Sequence, residues 1–229
     1  MFKVIVSTAL ALVISIPSIA SAEQTKAVNK DIQVNFANNV TNNLSKEDIS
    51  KITSQLSPTA TSITIVESAP INTVNNGGIS PLGNQCMEGA VFQNASQIGS
   101  YQFKKKGTDG DGTRYINKTG SNISFTSTFS TSFTMGGEIN GEAKWGWGPI
   151  EAKAGFKISG SYTWSTSEAS TVTVRPHYQG WNEYGTLNDT WTGYYAYLNT
   201  DCTTSNGVYI TATGPRQKAV VANEIWANY

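Results

Sequence analysis

The chain has 229 residues, 38% hydrophobic and only 14% charged, with sixteen Lys and Arg balanced by sixteen Asp and Glu. A neutral, polar chain carries no electrostatic footprint for nucleic acid, so no such partner is expected. With one histidine, His177, and two cysteines that form no CxxC, it offers no spaced partners for a His- or Cys-based metal centre or a histidine-based triad; no cofactor, metal or enzymatic activity is expected.

The first residues, "MFKVIVSTALALVISIPSIASA", place Lys3 before an apolar run and end in Ala20-Ser21-Ala22. This is the pattern of a cleavable signal peptide over residues 1–22. Pro17 and the serines interrupt the run too often for a membrane anchor, which needs about 20 apolar residues. The mature protein is therefore expected to be secreted and extracellular, where an oxidising environment lets Cys86 and Cys202 pair as a disulfide. They stand 116 positions apart, and closing a loop of about 100 residues is worth roughly 4 to 5 kcal/mol in the chain-entropy account.

Residues 23–80 are rich in Asn, Thr, Ser and Gln. One helical signal stands out: Ser45 as N-cap, Asp48 at the third helical position, then Ile49, Ile52 and Leu56 on one face. The turn-rich "NNGGISP" at 75–81 closes this segment. Propeptide, mobile arm or packed capping element all fit it.

From residue 81 to 229, Thr, Ser, Tyr, Phe, Trp and Val dominate and glycine punctuates at short intervals. The expectation is a single all-β domain of about 150 residues, enough for one core. It would be an elongated antiparallel sheet or sandwich carrying a long amphipathic hairpin at 121–174, preceded by a short N-terminal helical or flexible arm.

The hairpin is legible from its period. Odd positions carry Ile123, Phe125, Phe129, Phe133, Met135, Ile139, Ala143, Trp145 and Trp147, whereas even positions carry Ser, Thr, Glu, Asn and Lys. After Gly148-Pro149 the parity switches, and Ile150, Ala154, Phe156, Ile158, Tyr162 and Trp164 fall on even positions. A two-residue turn there puts Trp147 opposite Ile150, and the numbers of every cross-strand pair then share one total. Phe133 faces Trp164, Met135 faces Tyr162, Ile139 faces Ile158 and Ala143 faces Ala154 on the apolar side; Lys144 faces Lys153 on the polar side. Each arm runs roughly 25 residues, against 5 to 6 for an average strand. Alternation of this length suits a membrane-crossing β-barrel, with the apolar side toward lipid and the hydroxyl side toward water. It also suits a secreted β-sandwich with one wet face.

Residues 117–174, "NKTGSNISFTSTFSTSFTMGGEINGEAKWGWGPIEAKAGFKISGSYTWSTSEASTVTV", resemble the insertion segment of aerolysin-like β-pore-forming toxins. There a polar Asn-Lys-Thr lead-in precedes a Ser/Thr-rich amphipathic hairpin and a return strand. The resemblance covers about 60 residues and is one of style and spacing rather than of a strict motif; no separate receptor-binding domain accompanies it. It implies secretion as a soluble monomer, assembly as a homo-oligomer on a target-cell membrane, and conversion of the hairpin into a barrel. The partners expected are that membrane and a surface receptor or glycan, for a bacterial toxin or antibacterial protein. A non-lytic secreted binding protein is the other class the sequence allows.

Two further stretches carry residue types that bear on binding or metal chemistry. "TDGDG" at 108–112 has Asp109 and Asp111 but lacks the spacing and distal Glu of a calcium loop, so a tight turn fits better. "GWNEYGTLNDTWTGYYAYLNTDC" at 180–202 concentrates Trp181, Tyr184, Trp191 and Tyr194, read as a core element or as a surface for stacking a sugar or headgroup.

Overall fold

The computed structural model describes residues 31–38, 40, 43–69, 86–142 and 144–228. The leader at 1–22, the "NNGGISP" turn and Ala143 lie outside the described residues. The described chain is predominantly strand, as the composition requires.

Two strands dominate it, β10 (Tyr178–Leu198) and β11 (Thr204–Trp226), paired antiparallel from Tyr178 opposite Trp226 to Leu198 opposite Thr204. β10 pairs on its other side with β3 (Gly89–Lys105) and with the short β4 (Tyr115–Ile116); β11 pairs with β2 (Ala60–Ser68), which carries the parallel β1 (Gln33–Phe36) at the edge. Part of the segment at 23–80 is therefore sheet: residues 33–36 and 60–68 lie in the same ladder as the C-terminal strands.

Between β1 and β2 runs α1 (Lys46–Ser54). The amide of Asp48 donates to Ser45 Oγ and the amide of Ser45 donates to the Asp48 carboxylate, both at 3.1 Å, so two otherwise unpaired donors are satisfied reciprocally. Ile52 is buried beneath the helix against Ile63, Ile65, Leu187, Ala219 and Val221.

Alternation along β11 gives the sheet two occupied faces. Ala219 and Val221 point to α1, whereas Lys218 and Val220 point to the other side, where residues 123–174 pack. The disulfide joins Cys86, just before β3, to Cys202 in the β10–β11 connection, with Cα atoms 5.1 Å apart. The amide of Cys86 donates to the carbonyl of Thr200, which fastens the same corner. The expected pairing is thus present.

Candidate functional site

The ribbon at 123–174 begins as two short antiparallel ladders. β5 (Ile123–Ser127) pairs with β9 (Ser170–Val174), and β6 (Phe133–Gly136) pairs with β8 (Ser161–Trp164). Ile123 faces Val174 and Phe133 faces Trp164, so pairs in both ladders share one numerical total. That total is the one expected from centring the ribbon between Gly148 and Pro149. Five residues separate the ladders on each arm, 128–132 and 165–169, so the interruption leaves the register intact.

The two sides differ in chemistry as the period requires. On the outer side, Ser124 bonds Thr173 at 2.9 Å and Thr134 bonds Thr163 at 2.8 Å. On the inner side, Phe129, Phe133, Tyr162 and Trp164 are buried, and Phe125 and Met135 are partly buried. Phe129 and Trp164 pack at tilted and edge-on angles against Tyr184 of β10 with ring centroids 4.6 and 5.1 Å away, and Trp164 Nε1 donates to the carbonyl of Gly185 at 3.1 Å.

Polar contacts tie the ribbon to the sheet at two levels. The Tyr184 hydroxyl donates to the Ser127 carbonyl at 2.5 Å and accepts from the Ser170 amide at 3.1 Å, bridging both arms. Burial holds this phenol above its ordinary pKa, although the neighbouring Asn182, Ser170 and Ser127 contacts pull it down; it stays a protonated donor. Farther along, Lys218 Nζ donates to the Thr163 carbonyl and to both Glu168 carboxylate oxygens, each at 2.7 Å, and lies 4.2 Å from the centroid of Trp164. No local pattern in the sequence marks Tyr184, Lys218 or Glu168 for this role. A lysine set among apolar residues in "RQKAVVAN" is the signal that was available.

The distal half departs from the expected hairpin. There is no two-residue turn at Gly148-Pro149, because Gly148–Ala154 forms helix α2. Pro149 has a preset φ suited to a first helical turn, "EAKA" favours helix, and Gly155 supplies a left-handed cap at φ 78°. Local helix chemistry therefore wins over the two-residue period. β7 (Glu138–Asn140) pairs with β11 instead of with the return arm, placing Ile139 opposite Ala212 rather than Ile158. The expected pairs Trp147–Ile150, Ile139–Ile158 and Lys144–Lys153 are not formed, and the Ala143 pair involves a residue that is not described. Ile150, Phe156 and Ile158 are nevertheless buried, with Ile139, Trp145 and Trp147 partly buried beside them, against Phe92, Tyr195, Ile210 and Ala212. The approach is close: a Cβ on Gly214 would lie 1.9 Å from the Ile158 carbonyl oxygen.

The candidate aromatic surface on β10 is corrected in part. Trp181 is 6% exposed and Tyr184 is fully buried, so neither ring is presented for stacking. Trp181 lies under the Arg114 guanidinium at 4.0 Å, while Trp191 and Tyr194 are partly exposed. In the 108–112 turn, Asp111 pairs with Lys105, which also bonds Glu183 at 3.0 Å. His177 packs its ring against Trp226 at 5.7 Å.

Fold and site together define an all-β protein with a two-faced ribbon folded against its main sheet. No family model and no curated protein matches the chain. Among solved structures, it is similar to a protein from Bacteroides vulgatus ATCC 8482 provisionally described as a pore-forming toxin. That similarity covers 64% of this chain and 55% of the other, at 12% identity and a TM-score of 0.21. The chain thus spans just over half the length of that protein.

Proposed function

We propose that this is a secreted, membrane-active protein that assembles into a homo-oligomeric β-pore by releasing residues 123–174 from the sheet. One observation carries the reading: two separate ladders keep a single register across their interruption. Continuing that register through 137–160 converts β7, α2 and the intervening loops into two uninterrupted arms without shifting any pair within the ribbon, once β7 leaves β11. Each arm spans roughly 25 residues, more than twice the 9 to 11 a strand needs to cross a bilayer. The apolar residues that leave the sheet enter lipid, so their burial is exchanged rather than lost. A closed ring of such ribbons is required because open strand edges are not tolerated in lipid. What the folded protein must give up is the polar attachment at Tyr184 and Lys218, the β7–β11 ladder and the helix at 148–154. A target-cell surface, with or without a receptor or glycan, would supply the compensating contacts.

The second reading is a non-lytic secreted binding protein whose ribbon is a permanent sandwich layer. It is favoured by the burial of the same apolar residues in the folded state. Dye release from liposomes, combined with electrophoresis for heat-stable oligomers, separates the two. Release with oligomers supports the pore; binding without release supports the alternative.

A further inference from the structure

Resting on the pore reading, we infer that the passage conducts small hydrated ions of either sign with little preference, because its charged side chains alternate in sign along the axis. In the shared register, the polar side of the distal ribbon carries Glu138, Glu142 and Glu151 against Lys144, Lys153 and Lys157. Five of these six are exposed in the folded protein, and Glu151 is partly buried, accepting from the amide and hydroxyl of Ser159. None belongs to the apolar core that would meet lipid.

The register fixes their order. Moving toward the tip, the levels read Glu138, then Lys157 beside Asn140, then Glu142 beside Gly155, then Lys144 with Lys153, then Glu151 beside Gly146. The sign reverses at each level. Successive levels on one side of a strand lie about 6.6 Å apart, less than the Debye length of about 8 Å at physiological salt. Each ring of charge is therefore offset by its neighbours before its field extends along the pore. The root half, from Ser124 to Thr134 and from Ser161 to Thr173, presents hydroxyls, which solvate either sign. Pores that select by charge use rings of one sign, and in this register every such ring is flanked by the opposite sign.

The test is the reversal potential of the full chain in planar bilayers of phosphatidylcholine and phosphatidylglycerol under a potassium chloride gradient. The wild type should give a cation-to-anion permeability ratio within about a factor of two of unity. The double substitution Lys144→Gln with Lys153→Gln should move the ratio several-fold toward cations, and Glu138→Gln with Glu142→Gln should move it toward anions. A strongly selective wild type, or conducting variants whose ratio does not move, overturns the inference and leaves the pore standing. Absence of any conductance overturns the pore reading and this inference with it.

Discussion

Lys218 and Glu168 form an ion pair across the junction of the main sheet and the ribbon, with Nζ 2.7 Å from each carboxylate oxygen. The lysine side chain is 4% exposed and the glutamate 39%, so the cation depends on this partner, the Thr163 carbonyl and the Trp164 face. Glu168→Ala leaves a buried ammonium short of its counter-charge and should destabilise the protein by about 1 to 3 kcal/mol. Lys218→Met keeps the packing on Trp164 and removes the need for a partner, so its loss should be smaller. Thermal melts of both variants check the order. In a dye-release assay, Glu168→Ala should also shorten the lag.

Gly214 permits a close approach between β11 and the distal ribbon. Gly214→Ala places a methyl against the Ile158 carbonyl, which must retreat. Trypsin should then cut at Lys153 and Lys157 faster than in the wild type, with the main-sheet fragments unchanged. Equal cleavage rates would show that this contact does not hold the distal segment.

The disulfide is the one covalent tie between the start of β3 and the β10–β11 connection. Cys202→Ser should lower the unfolding midpoint, consistent with the 2 to 5 kcal/mol typical of a native bridge in a small secreted domain. Wild-type protein treated with a thiol reagent under non-reducing conditions should take up no label at Cys86 or Cys202.

Burial holds the phenols of Tyr101, Tyr184 and Tyr195 above the ordinary value of 10.0. Their folded forms retain protons that the unfolded chain releases, so the associated stability is complete below pH 10 and is lost as pH rises through the folded pKa values. Urea unfolding should show a flat dependence from neutrality to about pH 9 and a decline beyond about pH 10. Tyr184→Phe should be less stable at neutral pH, through its lost bonds to Ser127 and Ser170, and should decline less steeply in alkali.

How much the sequence reveals depends on the range of the interaction responsible. The α1 cap was legible because Ser45 and Asp48 satisfy each other within one turn. The ladder register is legible because a period of two makes odd positions pair with even ones, and centring the ribbon between Gly148 and Pro149 then selects Phe133 opposite Trp164. Helix α2 is not legible although Pro149 and Gly155 mark its ends, since the same letters also continue the alternation. The segment supports two local structures, and contacts with Ala212, Gly214 and Tyr195, more than forty positions away, accompany the folded choice. The Lys218–Glu168 pair and the placement of β2 beside β11 depend on long-range pairing that no local pattern encodes.

The central claim is that the distal ribbon must leave β11 while the pairing within the ribbon persists, and paired cysteines test it most directly. Glu138 faces Thr213 across the β7–β11 ladder, and Thr134 faces Thr163 within the ribbon. An oxidised Glu138→Cys/Thr213→Cys protein should bind liposomes without releasing dye. Reduction should restore release to the level of wild type given the same reductant, which controls for the native bridge. An oxidised Thr134→Cys/Thr163→Cys protein should release dye as wild type does, since that pair is shared by both states. Undiminished release from the oxidised Glu138/Thr213 protein, or loss of release from the Thr134/Thr163 protein, would contradict the account.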